Sequence, residues 1–207
     1  MGIHIKKDKK KVTEGQFTEV FGIVGSGKGV GVTHFSVLLA NYLTGVLKKR
    51  TAVLEWNENG DFKRMEDILC KKSVSNRSSQ TFSLLEVSYV KKAGRKELSE
   101  CIDQGIDCIV IDFGSDFYGV REEFFCCSRK VLIGSFCEWQ LGSFIELLIR
   151  EKHWKGRWNI LAVFGSEATE AEVKKRLHIS AMRIPESKDA FSVTGKTMDF
   201  LNGFLKY

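Results

Sequence analysis

The stretch that decides the fold runs Phe17-Thr18-Glu19-Val20-Phe21-Gly22-Ile23-Val24 and continues Gly25-Ser26-Gly27-Lys28-Gly29-Val30-Gly31-Val32-Thr33-His34. The first half is a short apolar run, rich in branched and aromatic side chains, and reads as a strand over 17–24. The second half has four glycines in the seven positions 25–31, which lets the chain turn sharply. Beyond it, Phe35, Leu38, Leu39, Tyr42, Val46 and Leu47 recur at helical spacing and predict a helix over 33–49.

The same alternation continues outward from that turn. Strands are expected at 51–56, within 82–90, and at 107–113, 130–136, 158–164 and 179–184. Helices are expected at 61–70, 96–104, 140–152, 169–177 and 189–204, with a polar loop at 71–79. The run from Asp107 to Phe113 is apolar without a break, as in a strand buried on both faces. Strands alternating with helices of this length predict an α/β fold. It is a doubly wound, mostly parallel sheet with helices on both faces. One such domain should occupy 17–207, after a basic tail over 1–16. Ligands of such sheets bind beyond the carboxyl ends of the strands, where the glycine-rich turn falls.

The chemistry of the turn follows from its residues. Glycines let successive backbone N–H groups close around phosphate oxygens, and the helix that follows adds partial positive charge. Thr33 stands where the hydroxyl of a phosphate loop would hold Mg²⁺. His34 is either a phosphate contact or a helix-start residue with no chemical role. A complete loop of this kind ends G-K-[ST], whereas here the end is Gly31-Val32-Thr33, with valine in the lysine slot. Lys28 is the only lysine in the loop and has two registers. It either completes a G-x-x-x-x-G-K counted from Gly22, with Gly29 in the hydroxyl position, or it is an early extra lysine with Thr33 as the hydroxyl. The second register is preferred, because Thr33 directly precedes the amphipathic helix. A ligand-free glycine turn is the competing account.

Lys28-Gly29-Val30-Gly31-Val32-Thr33 resembles the deviant Walker A motif of ParA/MinD-type P-loop ATPases, with one glycine deleted and the last lysine replaced. In that family a signature lysine reaches across a nucleotide-sandwich dimer, a role that here falls to Lys28. Val53-Leu54-Glu55-Trp56-Asn57-Glu58-Asn59-Gly60-Asp61 is similar to the family's switch I. Glu55 takes the place of its first aspartate, and Asn57 that of the second, which positions the attacking water. Asp107-Cys108-Ile109-Val110-Ile111-Asp112-Phe113-Gly114 looks like the Walker B strand, so Asp112 would meet Mg²⁺ through water. Ile184-Pro185-Glu186 resembles the late segment near the base.

The resemblance therefore implies ATP and Mg²⁺ as cofactors, held by residues 27–34 with Thr33 and Asp112 on the metal. It further implies a homodimer with nucleotide and a role in positioning or assembling a cellular machine with an unidentified protein partner. The altered loop is also similar to that of TadZ-like members. Val32 removes a cation and Asn57 a carboxylate, so hydrolysis is expected to be slow or absent. A nucleotide-free scaffold of the same fold is the alternative.

Composition sets outer limits. The chain has 207 residues, 43% of them hydrophobic and 28% charged, enough for one full core. Net charge is +6, densest at Lys6-Lys7-Asp8-Lys9-Lys10-Lys11, which admits non-specific DNA binding as a further alternative. No apolar run is long enough to span a bilayer, and the last residues are too short and too poor in lysine for a membrane-lying helix, so a cytoplasmic protein is expected. Six scattered cysteines with no C-x-x-C pair fit a reducing compartment. Cys108 and the neighbours Cys126 and Cys127 are expected to pack as small hydrophobes. Trp139 is expected in the core, and Trp154 and Trp158 in a loop leading to a buried strand.

Overall fold

A computed structural model describes residues 17–70, 79–151 and 154–206. The expected basic tail over 1–16 and all but the end of the loop over 71–79 lie outside the described residues. Eight strands form one sheet in the order β3-β4-β2-β5-β1-β6-β7-β8. They are β1 (Glu19–Gly25), β2 (Thr51–Glu55), β3 (Thr81–Leu84), β4 (Val87–Val90), β5 (Cys108–Asp112), β6 (Arg129–Ser135), β7 (Trp158–Val163) and β8 (Met182–Arg183). Every pairing is parallel except that of β3 with β4. This is the α/β, doubly wound, mostly parallel architecture expected from the sequence.

The helices are α1 (Val32–Gly45), α2 (Asp61–Leu69), α3 (Arg95–Asp103), α4 (Arg121–Cys126), α5 (Glu138–Arg150), α6 (Glu167–Leu177) and α7 (Gly195–Lys206). Side chains alternate along each strand, so the sheet feeds two cores. Phe21, Ile23, Val53 and Val110 join Phe35 and Leu38 of α1, Phe62 of α2 and Phe204 of α7. Val24, Leu54, Ile109 and Ile111 join Cys101 of α3, Phe124 of α4, Phe144 of α5 and Val173 of α6 on the other face. Two glycines allow the close approach of the second layer. A Cβ on Gly22 would lie 2.6 Å from Cys127 Sγ, and one on Gly134 would run into the Phe144 ring.

The chain leaves β1 toward β2 on one side and leaves β5 toward β6 on the other. Those connections diverge at the carboxyl ends of β1 and β5, which opens the crevice where ligands of such sheets bind.

Several elements differ from the sequence expectation. The single strand within 82–90 is a hairpin whose turn residues Leu85 and Glu86 both have positive φ, 50° and 62°. Such turns normally carry Asn or Gly, so Leu85-Glu86 advertises no turn. The helix expected over 189–204 starts only at Gly195. Before it, Asp189 accepts the Phe191 N–H (2.9 Å) in a local turn, and Thr194 and Thr197 exchange bonds at the helix start. The strand expected over 179–184 shortens to Met182–Arg183. Cys108 and Cys127 are buried, but Cys126 is exposed at the end of α4, a helix without a clear apolar period. Trp139 is 80% exposed, because it lies in the first turn of α5 at the rim of the sheet.

Candidate functional site

The glycine-rich segment forms a cradle at the crevice. Gly25 N–H donates to Gly114 O (2.8 Å) and Ser26 N–H to Ile133 O (2.9 Å), so the loop is tied to the strand ends on both sides of β1. Gln140 Nε2 donates to Lys28 O at 3.0 Å, which ties it also to α5. Gly29 and Gly31 have φ of 79° and 87°, and a Cβ on either would meet nothing within 4 Å. Backbone conformation, not crowding, therefore calls for glycine at both positions. Gly31 caps α1, whose own first turn carries no acidic residue, so the partial positive charge of that helix start is not offset from within the helix.

The resulting cavity, about 310 Å³, is walled by residues 27–34 together with Asn59, Asp61, Gly114 and Ser115. All the loop residues singled out from the sequence thus meet in one place: Gly27, Lys28, Gly29, Val30, Gly31, Val32, Thr33 and His34. Lys28 is exposed. Val30 and Val32 are buried, and their Cγ2 atoms stand 2.7 and 2.8 Å from where a Gly25 Cβ would be. Val32 therefore gives the cavity an apolar wall where a lysine would give a cation.

Beneath the cradle lies Asp112, fully buried at the end of β5. Its Oδ1 accepts from Gly114 N–H (2.9 Å) and from Asn57 Nδ2 (3.1 Å). Its Oδ2 is buried with no hydrogen-bond partner among the described residues. Burial pushes the carboxyl up to about 6; the Thr33 hydroxyl and the Gly114 N–H oppose this, and the charges of Glu55 and Asp61 add to it. Thr33 Oγ1 lies near the Asp112 carboxylate but gives its one proton to Asp61 Oδ2 at 3.4 Å.

The two switch-like residues sit apart from the cavity wall. Glu55 is paired in register with Asp112, and its Oε1 accepts the Phe62 N–H at 3.0 Å, so it caps the start of α2. Asn57 uses both ends of its amide: Nδ2 binds Asp112, and Oδ1 accepts the Asn59 N–H at 2.9 Å. His34 lines the cavity with its Nε2 buried and unpartnered among the described residues. Burial lowers its pKa, against the pull of Asp189. Asp189 belongs to the segment 185–196, which lines a neighbouring cavity of about 830 Å³.

The site fits a phosphate ligand and a hard cation. Among the described residues no group of three or more His, Cys, Asp or Glu could hold a metal. A cation here would therefore rest on few protein oxygens and complete its shell from ligand phosphates and water, as Mg²⁺ does. The orphaned Asp112 Oδ2 and the Thr33 hydroxyl are suited to that. Sequence reasoning did not single out Asn59, Asp61, Gly114, Ser115 or Gln140. Asn59 and Asp61 fell within the stretch that resembles switch I, and Gly114 ended the one that resembles the Walker B strand, but neither resemblance gave them a role.

No family model and no curated protein sequence matches the chain. Solved structures do. The chain is similar to a ParA family ATPase from Chlorobium tepidum TLS, with 14% identity and a TM-score of 0.62 over 92% of this chain and 100% of that one. It is similar to the MinD cell division protein of Aquifex aeolicus, with 15% identity and a TM-score of 0.61 over 92% and 98%. It is also similar to cobyrinic acid a,c-diamide synthase from Mycobacterium smegmatis, solved with ADP and magnesium, with 14% identity and a TM-score of 0.63 over 92% and 95%. The fold is that of the ParA/MinD-type P-loop NTPases. Among the described residues no helix is long and apolar enough to cross a membrane.

Proposed function

We propose that the protein is a nucleotide-dependent switch. ATP with Mg²⁺ occupies the cradle of residues 27–34, Thr33 and Asp112 hold the metal side, and the loaded form pairs into a homodimer through Lys28. That dimer recruits a protein partner in positioning or assembling a cellular machine. The observation that carries this reading is the pairing of a preformed anion cradle with an orphaned buried carboxylate oxygen directly beneath it. The cradle is the conformation of Gly29 and Gly31, and the oxygen is Asp112 Oδ2. An unused relic has no reason to keep one oxygen of a buried carboxylate without a partner, since that costs stability.

Hydrolysis is slow or absent on this reading. Phosphoryl transfer rests on charge stabilisation and on positioning of the nucleophile. Val32 brings no charge, and Asn57 is engaged with Asp112 instead of the cavity. Likeness in fold to both partition-type ATPases and a synthase does not by itself choose the chemistry, so the site must. A nucleotide-free scaffold is the rival account, favoured by the apolar Val32 wall.

Calorimetry with ATP and Mg²⁺, joined to sedimentation, separates the two. Binding with dimerisation is expected, with loss of both in a T33A/D112A variant and loss of dimerisation alone in K28A. Absence of binding at millimolar ATP refutes the switch.

A further inference from the structure

On the nucleotide-binding reading above, we infer that Asp61 is a ligand of the divalent cation, supplying the metal-side carboxylate that position 57 lacks. Asp61 opens α2 and forms part of the cavity wall. Its two oxygens are divided. Oδ1 is held by Arg64 Nη2 at 2.7 Å, and Oδ2 meets Thr33 Oγ1 at 3.4 Å. Arg64 is itself fixed by a bond to Asn59 O at 2.9 Å, so the carboxylate is held in orientation.

The second observation comes from another element. Asp112 Oδ2 is buried and unpartnered among the described residues, and the Thr33 hydroxyl lies against the same carboxylate. Oxygens from α1, α2 and β5 thus gather around Thr33. Two are carboxylates, of which Asp112 keeps an oxygen unpartnered among the described residues, and the third is a hydroxyl, the donor set of a hard divalent cation. Two carboxylates brought together without a cation repel each other, and a cation relieves that repulsion. A first-turn acid on α2 would be accounted for by the helix dipole alone. That role does not require contact with a hydroxyl on a different helix.

The position of the carboxylate also makes sense of Asn57. Its amide donates to Asp112, so a carboxylate there would face another carboxylate. Moving the second acid to Asp61 keeps the charge near the metal and frees position 57 to hold Asp112.

The test uses the full chain with Mn²⁺ standing in for Mg²⁺, free Mn²⁺ being counted by electron paramagnetic resonance with ATP present. Loss of even an outer-sphere partner lowers metal affinity by about 10–100-fold, so D61N should weaken Mn²⁺ binding by at least about tenfold. In EDTA its ATP affinity should not fall, because neutralising a carboxylate in the cavity wall removes repulsion toward the phosphates. A second readout is the rise in melting temperature that Mg²⁺ causes in the presence of ATP, which D61N should lose and D61E retain in part. Equal Mn²⁺ affinity and an equal Mg²⁺-dependent rise in D61N and wild type overturn the assignment and leave the nucleotide reading standing. Failure of the wild type to bind ATP overturns both.

Discussion

Asn57 donates its amide to two atoms of Asp112, the backbone O at 2.9 Å and the carboxylate Oδ1 at 3.1 Å. The substitution that appears from sequence to be the loss of a catalytic carboxylate is also a fitted support for the buried acid beside it. Restoring the carboxylate alone should therefore harm the protein. In N57D two like charges would meet in a poorly solvated place, and the Asp112 carbonyl would lose its donor. A cost of about 1–3 kcal/mol is expected without metal. Denaturant unfolding in EDTA measures it. An N57D chain as stable as the wild type would show that the amide is not what holds Asp112.

Gly31 and Gly27 make a controlled pair. A methyl group meets nothing within 4 Å at either, but only Gly31 has a left-handed backbone, with φ of 87°. G31A should lose about 1–2 kcal/mol of stability through strain, or distort the cradle and weaken ATP binding. G27A should change stability by less than about 0.5 kcal/mol. Melting curves for the two variants, with and without ATP, decide this. Equal behaviour would mean that the positive φ of Gly31 is not maintained in solution.

The sheet was legible because β1, β5, β6 and β7 are long apolar runs, and helices with clear periods lie between most of them. The cradle was legible because glycine has few other reasons to recur at 25, 27, 29 and 31. What the sequence concealed depended on contacts between distant segments. Asp61 meets Thr33 only once α2 is packed beside α1, and Gln140 reaches Lys28 O across 112 positions of sequence. Glu55 was legible as a residue at a switch I position, but the bond its Oε1 accepts from the Phe62 N–H at the head of α2 was not. The hairpin at Leu85-Glu86 lacked the residues that advertise its turn, and Trp139 matched a core residue in everything except its place at a helix start on the rim.

Val32 tests whether phosphates enter the cradle at all. It is the first residue of α1 and lines the cavity, and its side chain is 7% exposed. A lysine can lay its stem along the same apolar path and carry its ammonium into the cavity. A hydrogen bond to a charged group contributes about 1.5–3 kcal/mol, so V32K should tighten ATP binding by about tenfold or more. Calorimetry in Mg²⁺ checks this. Unchanged affinity would place the phosphates elsewhere, against the reading of residues 27–34 as their site.

Asp112 predicts how stability depends on pH. Burial pushes its carboxyl up to about 6 in the folded chain, from an ordinary value of 3.8. Between those limits the folded form holds a proton that the unfolded form has released, so folding stability falls as pH rises through the window. Below it the contribution is intact; above it the ionised, half-partnered carboxylate opposes folding by up to about 3 kcal/mol. Glu97 and Glu123 are held below their ordinary values and act in the opposite sense, losing their contribution as the pH falls. The difference between wild type and D112N isolates Asp112. In EDTA, unfolding free energy measured from about pH 4 to 7 should decline more steeply for wild type than for D112N. Because a cation stabilises the ionised form, saturating Mg²⁺ with ATP should remove much of that decline. Parallel profiles for the two chains would mean that Asp112 is solvated, and the case for a cation beneath the cradle would lose its buried oxygen.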